Sequence, residues 1–67
     1  MKAKSNVSNI MKQEGVTTRA LREVTGVSLM TIAKARDERI ANCTLGILIK
    51  IATGLGVPVE DLFTVEK

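Results

Sequence analysis

Apolar residues recur along this chain at helical spacing, not in alternation. Val7, Ile10 and Met11 stand at i, i+3 and i+4, and open a first helical pattern that Gly15 ends as a left-handed C-terminal residue. Val16 and Thr17 form a short connection. Thr18 is placed to cap a second helix, with Leu21 and Val24 on one face before Gly26 stops it. Ser28 caps a third, in which Ile32 and Ala35 share a side. Asp37 to Cys43 is polar apart from Ile40 and Ala41 and reads as a loop. Thr44 caps a fourth helix, Leu45 to Leu55, where Leu45, Leu48, Ile49, Ile51, Ala52 and Leu55 cover more than half the circumference, so it is expected at the centre of the core. Gly56 breaks it, and Pro58 suits the first turn of a short last helix holding Val59, Leu62 and Phe63. No run of strict alternation appears. The pattern predicts an all-α domain of five short helices over residues 6–67 and no sheet, with residues 1–5 a flexible polar arm.

The second and third helices are hinged on Gly26, within Thr18 to Arg36 (TRALREVTGVSLMTIAKAR). A hinge of this kind sets two short helices at a steep angle, as in a helix-turn-helix. Val27 and Ile32 plug the angle from inside, with Leu21 opposite. The helical wheel then leaves Leu29, Met30, Thr31, Ala33 and Lys34 facing outward.

Composition narrows the chemistry. At 67 residues the chain is one domain, near the lower limit for a core without staples. Phe63 is its single aromatic residue, so the core is aliphatic. One cysteine, Cys43, excludes an internal disulfide, and the lack of histidine argues against a zinc site; no other cofactor or small-molecule ligand is indicated. Both facts fit a reduced, cytoplasmic setting. The longest apolar run is three residues, Ile47 to Ile49, which provides no membrane span or signal sequence. Cys43 has no base beside it in sequence, and Glu60 and Asp61 lie on the polar face of the last helix, so an enzyme is not expected. A net charge of +3 and a pI near 9.4 are compatible with a polyanionic partner.

From about Asn6 to Phe63 the chain resembles the Cro/lambda-repressor family of small DNA-binding domains. The segments that carry the likeness are LREVTGVSLMTIAKA (Leu21 to Ala35) and TLGILIKIATGLGVPVEDLF (Thr44 to Phe63). The resemblance implies a compact five-helix fold, double-stranded DNA as partner, and a role in transcription regulation, as a repressor, in a bacterium or phage. By position it gives base reading to Ser28, Leu29, Met30 and Thr31, and one turn later to Lys34. It gives phosphate contacts to Thr17, Thr18 and Arg19 at the second helix, to Arg39, Asn42 and Thr44 around the start of the fourth, and to Arg36. Lys2, Lys4 and Lys12 are weakly placed. Five or six such contacts imply a salt slope of about −5. One small domain contacts little DNA, so binding as a homodimer is expected, with Val59, Phe63 and Val65 as a candidate dimer surface, although Phe63 is better suited to closing the core. One position departs from the family. Arg22 stands where a small residue is usual, which implies a wider crossing of the helices, an aliphatic stem laid over the contact, or an outward reach to a phosphate. The alternative function is a protein-binding adaptor or antitoxin-like module, using the apolar Leu29/Met30 tip as its anchor.

Overall fold

The computed structural model describes residues 2–66 of the chain, with the side chains of residues 3–65. Met1 and Lys67, the ends of the expected arm and domain, lie outside the described residues. The order is β1 (Lys2–Ser5), α1 (Val7–Glu14), α2 (Thr18–Thr25), α3 (Leu29–Ala35), a 3-10 turn (Glu38–Asn42), α4 (Leu45–Leu55), a second 3-10 turn (Val59–Leu62) and β2 (Phe63–Glu66). Four α-helices therefore replace the expected five among the described residues, and a small sheet joins the two ends.

Local signals set most helix limits. Ser28 Oγ accepts from Thr31 N, and Thr44 Oγ1 from Ile47 N, so each satisfies an amide that the first helical turn leaves unpaired. The cap of α2 is Thr17, one residue earlier than expected: its extended backbone lets Oγ1 accept from Ala20 N at 3.1 Å, and Thr18 is the first helical residue. The expected fifth helix is only a 3-10 turn. Asp61 N donates to Pro58 O, a three-residue step, and the chain turns extended at Phe63 before a four-residue step can form. The stretch expected as a loop after α3 is likewise a 3-10 turn. Asp37 caps it through Arg39 N, and buried Ile40 draws it onto the core.

The sheet overturns the frayed arm. β1 and β2 pair antiparallel with Lys2 opposite Glu66, Ala3 opposite Val65, Lys4 opposite Thr64 and Ser5 opposite Phe63. Ser5 Oγ also donates to Ala35 O and accepts from Val7 N, which ties the strand to the end of α3 and the start of α1. Asn6 completes the closure: its backbone N–H donates to Leu62 O at 2.8 Å and its amide nitrogen to Thr64 Oγ1 at 3.2 Å.

The core gathers Val7, Met11, Leu21, Val27, Ile32, Ile51, Leu55 and Leu62 with smaller neighbours, and it contains no buried polar side chain among the described residues. α4 crosses α2 closely at Gly54, where an added Cβ would stand 2.6 Å from Thr25 Cγ2 and 3.1 Å from Leu21 Cδ1. Arg22 is exposed, and the close approach of α4 to α2 rests on Gly54. Three apolar assignments need correction. Val24 is 71% exposed, because Leu21 and Thr25 take the inward side of α2. Leu45 and Ile49 are exposed too: Leu48, Ile51, Ala52 and Leu55 fill the inward face of α4, and the described residues leave these two uncovered on the other. Val59 and Phe63 are half-buried against the core, while Val65 is exposed. No described helix is long and apolar enough to cross a membrane.

Candidate nucleic-acid interface

Between α2 and α3 the chain turns on Gly26, whose φ of +73° is a left-handed backbone that residues with a Cβ resist by roughly 1 kcal/mol or more. Thr25 fixes the turn from one side. Its Oγ1 donates to Leu21 O at 2.7 Å and accepts from Val27 N at 3.2 Å. Val27 and Ile32 are buried beneath it, so α3 is held by its inner face. Its outer face is open: Leu29 is 46% and Met30 72% exposed, and Ala33 and Lys34 are exposed beside them.

The residues expected at base edges therefore fall into two sets. Leu29, Met30 and Lys34 share the open face. Ser28 and Thr31 sit at its edge and are bonded to each other, with Ser28 Oγ donating to Thr31 Oγ1 at 2.9 Å. Lys34 stands close enough to half-buried Cys43 to favour its thiolate, yet burial dominates and pushes that thiol above its ordinary pKa.

Of the residues expected at phosphates, Thr17, Thr18 and Arg36 come together. They line an open groove of about 370 Å³ with Ser8, Asn9, Met11, Lys12 and Val16. Arg36 bridges three helices here, its Nε donating to Ser8 Oγ at 2.9 Å and its Nη1 to Thr18 Oγ1 at 3.0 Å. Ser8 and Asn9 carry no signal in sequence that would bring them to α2, and Lys12 looked remote for the same reason; only the packing of α1 unites them. Arg19 is exposed on the first turn of α2, and Thr44 caps α4, with Asn42 just before it. Arg39 is differently placed. It forks onto Asp37, with Nη2 to Oδ2 at 2.8 Å and Nε to Oδ1 at 3.1 Å, and the pair holds the Asp37 carboxyl below its ordinary pKa.

Residues 6–67 match the Cro/C1-type HTH DNA-binding domain. The chain belongs to that family. No curated protein matches it. As a Cro/C1-type domain it is a DNA-binding regulator, and α2, the Gly26 turn and α3 are its helix-turn-helix. The Cro/C1-type match begins at Asn6, so β1 lies outside it while β2 lies within.

Proposed function

We propose that this protein is a sequence-specific repressor that binds double-stranded DNA as a homodimer, with α3 in the major groove. The observation that carries the reading is the open outer face of α3 (Leu29, Met30, Ala33, Lys34) beside a second helix that presents its N-terminus. In that pose Ser28, Leu29, Met30, Thr31 and Lys34 meet base edges, and Lys34 donates to guanine O6 and N7. Phosphates are held by Thr17, Thr18, Arg19 and Arg36 on one side, with Lys12 added from the groove, and by Asn42 and Thr44 on the other, where Arg39 is held back by its fork onto Asp37. The exposed pair Leu45 and Ile49, one turn apart on α4, offers an apolar strip for a second copy. The protein then acts in the compartment that holds the genome of a bacterium or phage.

Selection from random duplex DNA, followed by protection mapping, tests this. The expected product is a site of two half-sites about one helical turn apart, with binding that survives nonspecific competitor. Lys34→Ala should weaken binding by about 1–3 kcal/mol and relax preference at one base position. Equal affinity for all duplexes would remove sequence specificity, and an unchanged preference would remove Lys34 from the reading set. The exposure of Leu29 and Met30 favours a second reading, an adaptor or antitoxin-like module that docks this tip in a protein groove.

A further inference from the structure

Across the outer face of α3, steps of about 100° per residue set the side chains in the order Leu29, Ala33, Met30, Lys34. The first three have no polar atom. They are not surplus core: Val27, Ile32 and Ala35 already fill the inner side, and Leu29 and Met30 remain among the exposed large hydrophobic residues. The hydroxyls at the edge add little. Ser28 gives its proton to Thr31 Oγ1 and accepts from Thr31 N, which leaves the Thr31 proton as the one unspent hydroxyl donor of the pair. Lys34 is the remaining side-chain donor on this face.

We infer that this face recognises pyrimidine 5-methyl groups: the bases under Leu29 and Met30 are thymine, or cytosine methylated at C5, and the methyl itself sets the affinity. The inference rests on the proposal that α3 enters the major groove. There guanine presents two acceptors, adenine an acceptor and a donor, and cytosine a donor; thymine alone adds an apolar group. An apolar side chain strips water from whatever lies beneath it. Over guanine, adenine or unmethylated cytosine it leaves donors or acceptors unpaired, a loss larger than the gain from burying one methyl. Over a 5-methylpyrimidine it meets carbon. The face therefore selects in two ways, by attraction to the methyl and by exclusion of bare polar edges. The methyl of 5-methylcytosine projects from the same ring position as that of thymine, so binding should also respond to cytosine methylation.

The test uses the full chain and the site obtained by selection. Each thymine is replaced in turn by uracil, which removes the methyl and keeps every hydrogen-bonding atom. One or two adjacent positions in each half-site should weaken binding about fourfold apiece, the effect of one buried methyl. At those positions 5-methylcytosine should bind more tightly than cytosine. Leu29→Ala and Met30→Ala, both at exposed positions where folding is checked by circular dichroism, should each erase the uracil effect at one position, with their own uracil and thymine duplexes bound equally. Sequence-specific binding with a flat uracil scan overturns the methyl inference and leaves the DNA reading standing. So does a uracil effect that persists undiminished in both variants. Absence of binding to any duplex overturns the DNA reading itself, and capture of a defined protein that Leu29→Ala abolishes assigns the tip to a protein groove instead.

Discussion

Asp37 and Arg39 show how a single pair can set the strength of a surface. Arg39 stands in the connection before α4, yet its guanidinium forks onto a carboxylate two residues away. The Arg39 side chain is the main cause of the lowered Asp37 pKa, followed by its backbone N–H. A depressed carboxyl contributes stability above its unfolded pKa and loses that contribution as pH falls through the lower folded value. Asp37 is therefore ionised and paired throughout the neutral range, so duplex binding between about pH 6 and pH 8 should carry no Asp37 titration. Asp37→Asn should release Arg39 and remove a negative charge that repels phosphate. Binding then tightens, and the salt slope steepens by about 0.9, the share of one added phosphate contact. Fluorescence anisotropy over a salt series checks both; an unchanged slope would show that Arg39 does not reach a phosphate even when released. At this scale the caps Ser28 and Thr44 and the Gly26 turn were legible in sequence, because each is a bond or backbone angle within three residues. The Asp37–Arg39 pair is equally local and could have been read from its two-residue spacing.

Between elements, legibility falls. The apolar pattern locates α2 and α4 but not the sides they turn to each other, and so it misplaced Val24, Leu45 and Ile49. What decides the contact is Gly54, which the sequence offers only as a residue of low helix propensity. Alanine there would raise helix propensity by about 1 kcal/mol. It would also put a methyl 2.6 Å from Thr25 Cγ2. Thr25 cannot turn away freely, because its Oγ1 is bonded to both Leu21 O and Val27 N in the turn that carries α3. Relief thus needs either a shifted helix or two lost hydrogen bonds, and overpacking of this kind costs about 1–3 kcal/mol. Gly54→Ala should be net destabilising by about 1 kcal/mol, which lowers the Tm by about 4–8 °C in a chain this small. Thermal unfolding by circular dichroism measures it. A Tm that rises would mean α2 and α4 part without strain, and that Thr25 does not lock the turn.

For the whole molecule, the decisive contact is the one with the greatest sequence separation. Phe63, Thr64, Val65 and Glu66 alternate apolar and polar, a minimal strand signal that is masked because Phe63 also completes the helical spacing of Val59 and Leu62, and Lys2 to Ser5 has no apolar residue larger than alanine. The pairing is visible only in three dimensions, where the helices bring both ends of the chain side by side. The closure also reaches the second helix of the helix-turn-helix, since Ser5 holds the carbonyl of Ala35 at the last turn of α3. An arm that merely frayed could be removed at no loss. A strand that closes a 67-residue core cannot, because total stability at this size is only about 3–5 kcal/mol. Starting the chain at Asn6 would remove the ladder and both Ser5 hydrogen bonds, each worth about 1 kcal/mol net, offset by the entropy of the released strand. The expected loss is about 2 kcal/mol, or a Tm lower by about 8–16 °C. The Ser5→Ala variant loses both Ser5 hydrogen bonds while keeping the ladder, so its Tm should fall by a comparable amount. Duplex affinity measured well below the Tm separates the two roles of the strand: a truncated protein that is folded yet binds more weakly shows that β1 positions α3, whereas unchanged affinity confines it to stability. Unchanged Tm in the truncated protein would return residues 2–5 to the flexible arm that their polar sequence predicts.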